Sequence, residues 1–399
     1  MLTSGPPEFD FLTSCVRPDG VVGPDPAKTV VTRNFDWELV LEYGRRNGVT
    51  PLLARGIQQF DSSDSAVDVP ASVRSTLTEQ TRSIAMRNVR LATELHQLLE
   101  AFADRGVRAL PFKGPVLEAV AYGEVGMRAY RDLDLLVPRT DVTAAVDVLE
   151  AHGYTWPNGP RLDDGPILGG WFTMPLVPEY ELQGEHLLTE VRWRVGDRAQ
   201  PFSPNVTTLW ERRETVTVAG SEIPALAPAD RLRMLAYHGT KHKWHQLKWA
   251  CDFAAAQTAA DVDWETLLAA AREHGDERRV LISAALIDRL FDYTLPAPVQ
   301  ELLTDDPRAE VLAAMAIEEL CLEGSGRPER TDRLSYTARA TDSVTDALRT
   351  VLFHSRLHPG LREYQHLPLP RQAHLLYYFV FPLYHLLDRA RRGPTSDSP

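Results

Sequence analysis

Two aspartates, Asp132 and Asp134, are separated by one residue within the sequence Arg-Asp-Leu-Asp-Leu-Leu-Val. The apolar residues between and after them predict a buried strand, and alternate side chains of a strand share one face of the sheet. Two carboxylates on one face repel each other unless a cation relieves the repulsion, and ligand sets made only of oxygen suit Mg²⁺ or Mn²⁺. The pattern therefore predicts a divalent-cation site of the kind used in phosphoryl or nucleotidyl transfer.

A third acid, Glu190, lies on a second predicted strand over residues 187–195, where Arg192 and Arg194 face the same side. If this strand lies beside the aspartate strand, Glu190 joins the metal site. It would then serve as a ligand, or as the base that takes the proton from an attacking hydroxyl. The alternative is a surface ion pair between Glu190 and Arg192 or Arg194.

The turn Lys113-Gly114-Pro115 separates a predicted short strand, residues 107–112, from a predicted helix that ends near Tyr122. A helix N-terminus presents free N–H groups and a partial positive charge. Gly114 would let a phosphate approach the backbone, and Lys113 would add a charge near a triphosphate. The turn is not a P-loop, because GxxxxGK[ST] occurs nowhere in the chain.

Five further cationic or titratable side chains are predicted to bind nucleotide. Arg128 and Arg131 flank the aspartates and could hold a phosphate with their forked guanidinium groups, or form ion pairs. His238 and His242, one helical turn apart, and the following Lys248 are expected to contact phosphate, base or acceptor. A metal role for the histidines is not favoured, since there is no HExxH motif and no evident third ligand. Asp252 could pair with Lys248 at i+4.

The order of predicted elements is helices, then a mixed α/β segment, then helices. This order predicts an α+β fold, a small mixed sheet with helical regions on each side. The predicted regions are an N-terminal arm and helical region over 1–105, an α/β core over 106–225 and a C-terminal helical domain over 226–399. Predicted C-terminal helices run near 230–238, 241–259, 264–274, 278–291, 309–322 and 343–352.

Composition narrows the functional classes. The chain has 399 residues and a net charge of −12, which argues against a dedicated nucleic-acid binder, although a local basic patch stays open. The three cysteines form no CxxC pair, which favours a reducing cytoplasm and excludes a zinc ribbon. The apolar stretch 375–387 is shorter than the roughly 20 residues of a membrane span. It is interpreted as a buried helix, with an interfacial helix as the alternative.

A long irregular stretch, residues 156–180, is a candidate acceptor-binding loop. Its Trp171 and Phe172 could stack on a base or sugar, or could anchor the loop to the core.

Together these pieces resemble the core signature of the uncharacterised bacterial and archaeal nucleotidyltransferase family, within the polymerase-β-like superfamily. In the α/β segment the resemblance is carried by Lys113-Gly114, Tyr122, Arg128, Asp132, Asp134, Gly153-Tyr154, Glu190, Trp193 and Arg194. In the helical part it is carried by His238-Gly239, His242, Trp244, Leu247, Lys248, Trp249 and Asp252.

The resemblance implies a minimal nucleotidyltransferase sheet in which Asp132 and Asp134 bind Mg²⁺ (or Mn²⁺) and Glu190 is the third acid. It implies transfer of NMP from an NTP, with ATP expected, to a hydroxyl of a small-molecule acceptor, and release of pyrophosphate. Two alternatives stay open: a toxin-type transferase that modifies RNA ends or a protein, and a catalytically weak nucleotide-binding scaffold. The chain departs from the family pattern in its Lys-Gly-Pro turn, in Glu190 for aspartate and in Arg192 for histidine.

Overall fold

The computed structural model describes residues 5–17, 35–62, 68–156, 179–185, 187–196, 204–260, 262–322 and 328–354, with six isolated positions between 367 and 380. Trp171, Phe172 and most of the apolar stretch 375–387 lie outside these residues. Within the described ranges, no helix is long and apolar enough to cross a membrane.

Four helices precede the sheet: α1 (Pro7–Cys15), α2 (Trp37–Arg46), α3 (Thr50–Ser62) and α4 (Ala71–Asp104). Asp36 caps α2 by accepting hydrogen bonds from the N–H groups of Glu38 and Leu39. The first turns of α4 bury Val73 and Leu77 in a helical core. Its last turns bury side chains in the core under the sheet, namely Leu91, Leu95, Leu98 and Phe102. A single helix thus connects the two cores.

The α/β segment contains β1 (Leu110–Pro111), α5 (Gly114–Tyr122), β2 (Asp132–Leu136), α6 (Val142–Ala151), β3 (Glu179–Gln183) and β4 (Leu188–Arg192). The strand order is β1-β2-β4-β3, with β2 and β4 parallel and the outer pairs antiparallel. After α7 (Val206–Glu211), β5 (Glu214–Val218) and β6 (Ser221–Ala225) form a separate hairpin. This small mixed sheet between helical regions confirms the predicted α+β class.

Strand β3 was not predicted, because it ends a stretch that reads as irregular. Four of its residues alternate: Tyr180 and Leu182 are buried, whereas Glu181 and Gln183 are exposed. The strand pairs with β4, so that Glu181 lies opposite Glu190. It therefore adds an acid to the face that carries Glu190.

The C-terminal helices are α8 (Pro228–Lys241), α9 (Leu247–Ala260), α10 (Trp264–His274), α11 (Glu277–Phe291), α12 (Ala297–Asp305), α13 (Pro307–Cys321), α14 (Arg330–Arg339) and α15 (Val344–His354). The predicted start of the second helix at residue 241 is wrong. Lys243 and Trp244 have positive φ angles of 55° and 52°, which interrupt a right-handed helix. The five-residue turn that results places His242 between α8 and α9.

Helix α5 lies between the two cores. Its Val116 is buried with the sheet, and the next residue, Leu117, is buried among the helices. The carboxylates of Asp132 and Asp134 on β2 and of Glu190 on β4 form an acidic edge. Because α5 begins at the Lys113-Gly114 turn and precedes β2, it brings this acidic edge next to α9.

Candidate active site

Three carboxylates lie side by side across the sheet. In the parallel pairing of β2 with β4, Asp134 is directly beside Glu190, and Glu181 of β3 is opposite Glu190. Asp132 shares the face of Asp134, since alternate residues of a strand point the same way. Adjacent strands are about 4.8 Å apart, so neighbouring carboxylates repel unless cations separate them. Glu181 was missed in the sequence because β3 was missed.

Two cations contact Asp134, whose side chain is 5% exposed. Lys113 Nζ lies 3.5 Å from Oδ2, and Arg192 Nε lies 3.7 Å from Oδ1. Burial raises the pKa of Asp134, but the charges of Lys113 and Arg192, together with side-chain hydrogen bonds to Glu190 and Lys113, outweigh it and leave the pKa below its ordinary value. Asp134 is therefore ionised at neutral pH, as a metal ligand must be.

Glu190 forms the ion pair that the sequence left as an alternative. Arg192 Nε donates to Glu190 Oε2 at 2.9 Å, and Arg192 Nη2 bonds the same oxygen. One guanidinium thus serves two carboxylates, Glu190 and Asp134. Glu190 therefore lies beside Asp134, which agrees with its predicted place in the site, but it is hydrogen-bonded to Arg192.

Lys113 reaches Asp134 because of the conformation of the turn. Lys113 is extended, and Gly114 has a φ of +58°, a region that side chains rarely adopt. A Cβ on Gly114 would also lie 3.5 Å from the carbonyl oxygen of Asp132. The turn therefore packs directly on β2, and the first turn of α5 starts next to the aspartates.

The loop that leads into β2 is held by a buried acid that sequence reasoning missed. Glu118 of α5 accepts hydrogen bonds from the N–H groups of Gly126 and Arg128, from the Tyr130 hydroxyl and from the Asn88 amide. Burial raises the pKa of Glu118, while these donors lower it by a smaller amount. The available signal was a single acid within the apolar run Val-Leu-Glu-Ala-Val-Ala-Tyr.

Arg128 and Arg131 are not bonded to the acidic edge. Arg128 Nε lies 3.0 and 2.9 Å from the two carboxylate oxygens of Asp252, which also accepts from the Tyr122 hydroxyl. Asp252 therefore pairs with Arg128, whereas the sequence suggested Lys248. Arg131 is exposed immediately before β2, and burial, followed by the charge of Arg131, lowers the pKa of Arg87.

The histidines predicted to line a cleft gather around Trp249 at the junction of α8 and α9. The His238 and His242 rings are 4.7 Å apart, and each lies 5.2–5.3 Å from the Trp249 ring. Burial, followed by the charges of Lys113, His242, Lys241 and Lys248, holds the pKa of His238 well below its ordinary value. His238 is neutral at neutral pH, and its surroundings are rich in cations.

Lys248 is positioned by the N-terminal helices. Asn47, at the end of α2, accepts hydrogen bonds from the N–H groups of Leu247 and Lys248, both at 3.1 Å. Gly48 has a φ of +68°, and a Cβ there would lie 2.7 Å from Lys248 Cδ, so the lysine stem packs over a glycine.

The charge environment of Lys248 connects it to the acidic edge. Its Nζ lies 3.5 Å from the carbonyl oxygen of Ala129, near the start of β2. Burial and Arg128 lower the pKa of Lys248 to about 8, and the nearby carboxylates of Asp252 and Asp132 raise it. Lys241 and Lys248 therefore form a cationic wall near the aspartate strand, with neutral His238 and with His242 beside them.

The donor set of the site suits a hard divalent cation, since Asp132, Asp134 and Glu190 offer only oxygen. Within the described part of the chain, however, no three His, Cys, Asp or Glu side chains are already arranged to hold a metal ion. Asp134 and Glu190 are instead bonded to Lys113 and Arg192. The residues fit the metal in type and in strand register.

Comparison with known proteins gives a family. No curated protein sequence matches the chain. A solved structure of the antibiotic-resistance factor ANT(2'')-Ia is similar to it at 14% sequence identity, with a TM-score of 0.32, over 47% of this chain and 93% of that one. The family described as "Uncharacterised nucleotidyltransferase" matches residues 33–292, which include every candidate site residue, and the chain belongs to this family.

Proposed function

We propose that this protein is a Mg²⁺-dependent nucleotidyltransferase that moves NMP from an NTP, with ATP as the expected donor, to a hydroxyl of a small-molecule acceptor. The observation that carries the proposal is the register of β2 and β4. It puts Asp134 beside Glu190, with Asp132 on the same face and a cationic wall opposite. Family membership supports the transferase class.

Asp132 and Asp134 would hold the metal, with Glu190 as the third acid. When bound, Mg²⁺ neutralises phosphate charge and polarises the α-phosphate. Asp134 is suited to this role because its pKa is depressed, so no proton competes for the carboxylate at neutral pH.

The triphosphate would lie between the acidic edge and the cationic wall. Lys113, at the start of α5, supplies a charge and a helix N-terminus. Lys248, His238 and His242 supply donors from the opposite side. In-line attack by the acceptor hydroxyl needs a base, and Glu190 is the carboxylate beside Asp134 that could accept its proton. A net charge of −12 favours a small acceptor over a nucleic acid.

A second candidate is a protein that binds nucleotide without turning it over. The observation that favours it is the bond from Arg192 to Glu190, which occupies the proposed base. Arg192 also stands where the family pattern has histidine. Both candidates share the nucleotide site and differ only in whether pyrophosphate is released.

The test is a pyrophosphate-release assay with each NTP, Mg²⁺ and a library of hydroxyl acceptors. We expect release with one NTP in the wild type, and a loss of about 100-fold or more in Asp132→Asn. The exposed Asp104, at the end of α4, provides the matched control, because Asp104→Asn removes the same charge outside the candidate site. Nucleotide binding without release by any acceptor would favour the second candidate, and the absence of NTP binding would refute both.

A further inference from the structure

We propose that Arg192 is an internal counter-ion that takes the place of the divalent cation in the nucleotide-free protein, and that metal binding displaces it. The inference rests on the proposed function, because it assigns a role to a residue beside the proposed metal ligands. It gives the departure from the family pattern at residue 192 a physical consequence.

The contacts of Arg192 carry the inference. Its guanidinium bonds Glu190 through Nε and Nη2, and Nε also lies 3.7 Å from Asp134 Oδ1. Lys113 approaches Asp134 from the other oxygen, Oδ2. Arg192 therefore stands between two carboxylates on neighbouring strands, in the position of a divalent cation shared by Asp134 and Glu190.

Charge balance explains why a cation must stand there. Glu190 and Asp134 are direct lateral neighbours within hydrogen-bond reach of each other, and when both are ionised their like charges destabilise the sheet. Their side chains are 13% and 5% exposed, so water screens the repulsion poorly. A guanidinium fork relieves this repulsion without any metal.

The same guanidinium must then compete with the metal. A divalent cation that binds Asp134 and Glu190 brings two positive charges to within a few ångströms of Arg192 and repels it. The Arg192 side chain is 19% exposed and the guanidinium is carried on a flexible stem. Once released, its fork can bind phosphate oxygens of the nucleotide. Arg192 would thus lower metal affinity in the empty protein and join the site when nucleotide arrives.

The experiment measures Mn²⁺ binding to the nucleotide-free protein by calorimetry and by the loss of free Mn²⁺ signal in electron paramagnetic resonance. We expect Arg192→Gln to bind Mn²⁺ at least tenfold more tightly than the wild type, with Arg192→Lys between them. Arg108 provides the charge-matched control: it pairs with Asp141 away from the acidic edge, and Arg108→Gln should leave Mn²⁺ affinity unchanged. Asp134→Asn should remove the binding in either background.

A second readout does not depend on the affinity measurement. Without metal, Arg192→Gln should have a lower melting temperature than the wild type, and saturating Mn²⁺ should raise its melting temperature by more. Mn²⁺ affinity that is equal or weaker in a folded Arg192→Gln protein would overturn the inference and leave the proposed function standing. If no form of the protein binds Mn²⁺ even with a non-hydrolysable NTP, the metal site of the proposed function fails as well.

Discussion

Two arginines of this protein bind carboxylates in contrasting ways. Arg128 and Asp252 form a one-to-one pair in which the aspartate is 0% exposed and the arginine 6%. Arg192 is more exposed and is shared between Glu190 and Asp134. Burial lowers the pKa of Arg128, yet the charge of Asp252 outweighs this and raises it above its ordinary value.

Arg128 therefore has a structural role in the fold, whereas Arg192 belongs to the candidate site. The Arg128–Asp252 pair connects the loop before β2 to α9, and Tyr122 donates a further bond to the same carboxylate. Every charge there has its partner. At the acidic edge, Lys113 and Arg192 contact Asp134 and Glu190, and Asp132 and Glu181 add two further carboxylates to the same face, so a further cation has a reason to bind.

The largest expected effect comes from breaking the buried Arg128–Asp252 pair. Asp252→Asn leaves the Arg128 charge buried without a counter-ion, and we expect a loss of about 3–5 kcal/mol in the free energy of unfolding. Urea denaturation measures it, with Asp104→Asn as the control. A loss under about 1 kcal/mol would mean that the Arg128–Asp252 pair is exposed to solvent and not buried.

The next effect concerns the loop that leads into β2, which is held by Glu118. Glu118→Gln replaces one acceptor oxygen by an NH₂ donor, although four donors converge on this side chain. We expect a loss of about 2 kcal/mol in unfolding free energy, together with weaker Mg²⁺-dependent nucleotide binding, because the loop positions Asp132. Unchanged stability would show that Glu118 does not hold the loop.

The contact between Arg192 and Asp134 is expected to affect how the stability of the protein depends on pH. The folded-state pKa of Asp134 is below its ordinary value of 3.8, so its contribution to stability is complete above that value and is lost as the pH falls through the folded pKa. Arg192→Gln should raise the pKa of Asp134 and weaken this part of the pH dependence. Urea denaturation between pH 6 and pH 3 measures it, and identical pH profiles for variant and wild type would contradict the assigned role of Arg192.

The smallest effect is expected at His238. Its folded-state pKa lies well below 6.5, so only the unfolded chain takes up a proton there as the pH falls below 6.5. Stability from this group is therefore complete above pH 6.5 and declines below it. His238→Gln should reduce the loss of melting temperature between pH 7.5 and pH 5.5. An equal loss in both proteins would place His238 in a more solvated setting.

Local patterns predicted the strand that carries Asp132 and Asp134, because alternation and turn chemistry act over a few residues. The alternation in 187–195 likewise predicted that Glu190 lies on a strand. The sequence did not show that this strand lies beside β2, and the structure does. What could not be predicted depends on contacts between distant segments. Asn47 caps α9 from 200 residues away, and Arg128 meets Asp252 across 124 residues. The sequence allowed an ion pair for both Arg128 and Arg192, but only the structure shows which acid each one contacts.

We propose that the edge of β2 and β4 that carries Asp132, Asp134 and Glu190 binds a metal–nucleotide complex. Calorimetry of NTP binding, with and without Mg²⁺, tests it on the wild type and on the Asp132→Asn/Asp134→Asn double variant. We predict that one NTP binds to the wild type in a Mg²⁺-dependent manner and that the double variant loses this dependence. Binding that is equally tight without Mg²⁺ and in the double variant, or no binding at millimolar NTP, would contradict the claim.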